Sequence, residues 1–271
     1  MSEQEYRPGS FQILPPVVKN LLIINGIFFM ATIVFGSSLN INLYDWLGLH
    51  FFTSHYFMPH QYITYMFMHG GFSHIFMNMF ALWMFGGVLE NYWGPKKFLI
   101  FYIVTALGAG ATHMGYTGYK LYPAYTYEAS PSVENMMAFA DRNKSILNYP
   151  AFLELRDAWI ANPDNPEYKA LADLYVSKIK TVVSNEPVVG ASGAVFGLLM
   201  AFGMLFPNSL IYIYFLFPIK AKYFVIIFGL IELFSGFAEV SGDNVAHFAH
   251  LGGMVFGFFL LKWWQKRKFR Y

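Results

Sequence analysis

The chain has 271 residues, a net charge of +2, 56% hydrophobic residues and only 13% charged ones. Soluble domains carry about 25% charged residues, so an ordinary soluble domain is excluded, and the near-neutral balance excludes a nucleic-acid binder. With no cysteine, the sequence also excludes disulfides, Cys-ligated zinc, iron-sulfur clusters and a thiol nucleophile.

The opening residues MSEQEYRPGS lack the basic-then-apolar pattern of a cleaved leader, so the first apolar run is expected to persist as a span. A helix needs about 18 or more largely apolar residues to cross the hydrocarbon core. Runs of that kind lie at 21–39, 72–89, 98–119, 187–207 and 244–261. A shorter run at 223–238, interrupted by Glu232, takes the same reading from its neighbours. The expectation is an all-α, six-span polytopic membrane protein whose obligatory partner is the lipid bilayer. The stretch 41–62 combines Tyr44, Trp46, Phe51, Phe52, Tyr56 and Phe57 with Asn42, Asp45, Gly48 and Pro59, which suits an interfacial loop. Residues 118–186 hold 16 of the 34 charged residues and read as an extramembrane insert. Within it a helix is expected at 151–160, and another after Asn165-Pro166, where Leu171, Leu174, Tyr175 and Ile179 recur at helical spacing.

Six spans place Arg7, Lys19, Lys96, Lys97, Lys220, Lys222, Lys262, Lys266, Arg267, Lys268 and Arg270 on one side, which the positive-inside rule makes cytoplasmic. The expected organisation is a cytoplasmic tail at 1–20, three spans at 21–117, the insert at 118–186, three spans at 187–261 and a basic cytoplasmic tail at 262–271.

Polar side chains inside spans are costly, so each is a candidate for function. His69, His74 and Asn78 open the second span, and His74 and Asn78, four apart, share a helix face. Taken alone, that pair reads better as polar glue between helices. Gly190-Ala191-Ser192-Gly193 opens the fourth span, with Gly193 and Gly197 in GxxxG spacing. His247 and His250 begin the sixth, followed by Gly253 and Gly257 in the same spacing. Two smooth-faced helices can approach closely, which makes a Ser192–His250 contact possible. A histidine base activates a serine hydroxyl, and the developing oxyanion needs donors, which His74, Asn78 and the Ser192 N–H can supply.

Together these clusters resemble the rhomboid family of intramembrane serine proteases. The resemblance implies Ser192 as nucleophile, His250 as base, and His74 and Asn78 at the oxyanion hole. Gly190, Gly193, Phe196, Gly197, Gly253 and Gly257 then support the site, as do His69 and His247. It makes Gly86 and Glu90 a structural GxxxE pair closing span two. The implied reaction is cleavage of membrane-spanning protein substrates through a Ser-His dyad, with no metal or other cofactor, in a protein of bacterial type in the inner membrane. The chain departs from the family pattern in four places. His60-Gln61 stands where a Trp-Arg pair is common, and Phe196 where tyrosine is frequent. His247 is an added histidine, and the insert is long.

Competing readings fare less well. No HExxH pattern offers a zinc site, and Asp45 and Asp243 lie outside or at the edge of spans, against an aspartyl protease. A transporter predicts several mid-span ionisable groups, whereas Glu232 is the lone mid-span carboxylate and reads as a hydrogen-bonded structural residue. Asp243 reads as a cap or turn residue. A non-catalytic rhomboid relative that binds membrane clients lacks the Ser or His present here. His50, His55 and His113 read as interfacial polar residues without a role.

Overall fold

The computed structural model describes residues 11–213, 216–238 and 245–268. The expectations placed on Arg7, Asp243, Asn244 and Arg270 lie outside these residues. The architecture is an α-helical bundle. Among the described residues four helical segments are long and apolar enough to cross a bilayer: Pro16–Leu39, Phe72–Trp93, Pro95–Ala129 and Ala221–Ala238.

Helix α1 (Pro16–Leu39) starts ahead of its apolar run because Pro16 suits the first helical position and Glu90 supplies the missing cap. The Glu90 carboxylate, from a different helix, accepts the N–H groups of Val17 at 2.9 Å and Val18 at 2.8 Å. These are donors that a helix start leaves without partners. One turn earlier, a side chain at Gly86 would press on Val18, Leu82 and Phe98, so glycine lets the helices close to capping distance. The GxxxE pair therefore ties the second span to the foot of the first.

Short helices α2 (Leu43–Leu47) and α3 (Gln61–Thr64) shape the first loop. Gln61 is fully buried in it, donating to Tyr56 O at 2.8 Å and accepting from His50 N at 3.3 Å. His60 Nε2 contacts Trp46 O at 2.8 Å. The His60-Gln61 pair thus holds the loop through its own polar contacts. His50 is buried within the protein, and its ring bonds Asn185 O at 2.8 Å and Tyr44 O at 3.2 Å.

The second apolar segment comprises α4 (Phe72–Ala81), a π turn at Leu82–Gly86 and α5 (Gly87–Trp93). Helix α6 (Pro95–Ala129) continues well past the apolar run, through Pro123. An internal proline frees the carbonyl four residues back. That carbonyl, Tyr119 O, accepts from the Arg142 guanidinium at 2.8 Å, and Lys120 O accepts from Asn143 Nδ2 at 3.2 Å. The extension of α6 is therefore a docking post for the next helices, α7 (Val133–Arg142), α8 (Tyr149–Ala161) and α9 (Pro166–Asn185). They bury Met136, Phe139, Phe152, Leu155 and Val176 in a core shared with Leu121, Ala124 and Tyr127 of α6. On α9 the buried residues are Ala172, Val176, Val183 and Ser184, while Leu174, on the expected apolar face, is 60% exposed. The end of α9 is fastened to the first loop, with Ser54 Oγ donating to Asn185 Oδ1 at 2.8 Å.

Helix α10 (Ser192–Leu205) is apolar but only 14 residues long. The run from 187 stays non-helical through Gly190, whose φ of +128° lies outside helical space, and Ala191 turns the chain into the helix. This strip pairs with the first loop, where Val188 and Leu49 exchange N–H···O bonds at 3.0 Å. A hairpin of β1 (Leu210–Ile213) and β2 (Phe217–Lys220), with Ile211 opposite Ile219, follows between the fourth and fifth apolar runs. Helices α11 (Ala221–Ala238) and α12 (His247–Lys268) complete the bundle.

Candidate active site

Helices α10 and α12 meet backbone to backbone. A Cβ on Gly253 would collide with Gly193 O, and one on Gly257 would sit 3.1 Å from Gly197 O. Gly197 in turn packs on Thr105 of α6, and Gly193 on Ala109. Small residues on three helices thus set the separation at which Ser192 and His250 face each other. Ser192 Oγ lies 2.8 Å from His250 Nε2. Phe196, one turn along α10, stacks on the His250 ring at 4.3 Å and 9°.

His250 Nδ1 contacts Glu232 Oε2 of α11 at 2.9 Å, and His247 Nδ1 contacts the same oxygen at 2.7 Å. An ionised carboxylate can only accept, so His250 donates from Nδ1 and, when neutral, presents Nε2 as an acceptor to the serine hydroxyl. The ligating atoms of Glu232, His247 and His250 lie within 4.8 Å of one another, close enough for a divalent cation to be shared. The 2.7 and 2.9 Å separations are those of hydrogen bonds. The sequence reading did not join Glu232 to the Ser-His pair. The available signal was that it is the lone carboxylate within an apolar span.

On the other side of Ser192, α4 carries His74 and, one turn on, buried Asn78. The Gly70 N–H donates to His74 Nδ1 at 3.3 Å, so in the neutral ring the proton resides on Nε2. That Nε2 and Ser192 Oγ flank Gly190: a Cβ there would fall 2.8 Å from the first and 3.4 Å from the second. Gly190 is required twice over, by its φ of +128° and by this space, and its N–H donates to Tyr65 O at 2.9 Å. His69 is fully buried with its ring 5.0 Å from that of His74, and its backbone carbonyl accepts from Tyr44 OH at 2.8 Å. As the first residue of α10, Ser192 has an N–H with no acceptor within the helix, at its positive end. Gly86 and Glu90 lie away from this cluster, at the α1 junction.

A bundle with membrane-length apolar helices and a serine hydrogen-bonded to a histidine at one helix start narrows the class. The Rhomboid domain profile matches residues 56–139 and 169–265, so the chain belongs to the rhomboid family. The stretch between the two matched parts, 140–168, contains α8. The chain is also similar to RHOMBOID-like protein 12, mitochondrial, of Arabidopsis thaliana, with 26% identity over 215 residues, 78% of this chain. It spans about half (48%) of that relative's length.

Proposed function

We propose that the chain is an intramembrane serine endopeptidase that cuts transmembrane segments of other membrane proteins, using Ser192 and His250. The observation that carries this reading is the 2.8 Å Ser192 Oγ–His250 Nε2 contact at the start of a short helix. His250 Nε2 takes the Ser192 proton as Oγ attacks the scissile carbonyl. The oxyanion receives hydrogen bonds from the Ser192 N–H, His74 Nε2–H and the Asn78 carboxamide. His250 then passes its proton to the leaving amine, and a water activated by the same nitrogen releases the acyl chain.

We further infer six spans, with α10 and α12 joining the four long helices, and both termini on the cytoplasmic side. At 1.5 Å per residue α10 is about 21 Å long against a hydrocarbon core of about 30 Å. A short α10 lowers Ser192 beneath the outer surface, with the extended strip and the first loop above it. Residues 118–186 are proposed as an outer element covering that side. The test is to incubate purified protein with a panel of single-span substrates, wild type beside Ser192→Ala, and map products by mass spectrometry. Site-specific cuts made by wild type alone support the reading. Cuts made equally by Ser192→Ala, or none by either protein across the panel, contradict it.

A further inference from the structure

Glu232 sits on α11, an apolar helix with no other ionisable residue between Tyr223 and Ala238. A carboxylate there is costly unless hydrogen-bonded, and its Oε2 meets two ring nitrogens, His250 Nδ1 at 2.9 Å and His247 Nδ1 at 2.7 Å. Glu232 is 8% exposed, as is His250. The approach is built into the packing: a Cβ on Gly236, one turn along α11, would already touch Phe248 at 3.0 Å and His247 at 3.2 Å. The glycine brings α11 close enough for the carboxylate one turn back to reach the imidazoles.

We propose that Glu232 is a positioning residue for His250, so that three helices contribute a Ser192–His250–Glu232 triad in place of a dyad. The inference rests on the reading of Ser192 and His250 given above. Glu232 keeps the proton of neutral His250 on Nδ1, so Nε2 always faces Ser192 as an acceptor. When Nε2 takes the serine proton, the imidazolium gains a neighbouring negative charge, and the Nδ1 proton stays on the ring. His247, donating to the same oxygen, holds the carboxylate in place. Glue between helices would also use a carboxylate between two histidines, but glue does not require that one of those rings be the ring touching Ser192.

The test uses the full-length protein in detergent and a fluorophosphonate probe, which reacts covalently with an activated serine. Two quantities are read, the fraction of protein labelled and the rate constant of labelling, in wild type, Ser192→Ala, Glu232→Gln and Glu232→Ala. Glu232→Gln keeps an acceptor of the same shape, so labelling should still reach the wild-type extent. The rate constant should fall by roughly 100-fold or more, as when an orienting carboxylate is neutralised. An unchanged rate constant in both variants, with or without a smaller labelled fraction, would make Glu232 a structural residue and overturn the proposal. Labelling that survives Ser192→Ala would instead bring down the underlying reading, and the proposal with it. A second measurement needs no variant of Glu232. In wild type labelled with 15N-histidine, the His250 resonances, assigned by their loss in His250→Ala, should show neutral His250 protonated at Nδ1. Protonation at Nε2 overturns the proposal.

Discussion

Replacing Glu90 with alanine removes a carboxylate that is 2% exposed and caps α1 from the end of the second span. Two N–H groups lose their acceptor, that of fully buried Val18 at 2.8 Å and that of partly buried Val17 at 2.9 Å. Neither has another acceptor within the helix. An unpaired buried donor costs about 1–3 kcal/mol and a lost helix cap about 0.5–2 kcal/mol. Counting the Val18 donor in full and the partly buried Val17 donor as a lost cap gives a destabilisation of roughly 1.5–5 kcal/mol. For a chain of this size that lowers Tm by roughly 3–20 °C. Glu90→Gln keeps one acceptor oxygen and should lose about half as much. The assay is thermal unfolding in one detergent, followed by circular dichroism, with Ser192 labelling below the transition to check the site. A Glu90→Ala protein melting with wild type would refute the reasoning, since α1 would not need its cap.

Three further outcomes are expected. Asn78→Ala should lower kcat far more than it raises KM, by roughly 100-fold for one oxyanion donor, as read from steady-state cleavage. Gly190→Ala should abolish cleavage, because a methyl there meets His74 and Ser192 and the backbone sits at φ +128°; full activity in a cleavage assay would contradict that geometry. His247→Ala should keep cleaving, since His250 retains its own bond to Glu232; cleavage time courses that match His250→Ala would contradict this.

The sequence made the pieces of the candidate site legible and left their geometry open. Ser192, His74 and His250 are conspicuous because polar groups are rare in apolar runs, and the glycine spacings on α10 and α12 announce a close helix contact. The start of α10 was not legible, because the apolar run begins at 187 and nothing in its composition marks where it turns helical. That point is set by the Val188–Leu49 pairing and by Gly190, both tertiary effects. The length of α6 was hidden for a related reason. Polar residues after 119 suggest an exit from the membrane, yet the helix runs on because Arg142, far along the chain, satisfies the carbonyl that Pro123 frees. The exposed Leu174 shows the same limit, since helical spacing names a face without saying which partner covers it. Glu232 was visible as an oddity in an apolar run, but its partner is 18 residues away on another helix, beyond any local pattern.

The central claim is that Ser192 and His250 act as one unit. Single-turnover cleavage of a membrane-spanning substrate by wild type, Ser192→Ala, His250→Ala and the double variant tests it most directly. Groups that act together are strongly non-additive, so the account predicts that each single variant loses essentially all activity and the double variant loses no more. Undiminished cleavage by either single variant, or losses that multiply in the double variant, would contradict it.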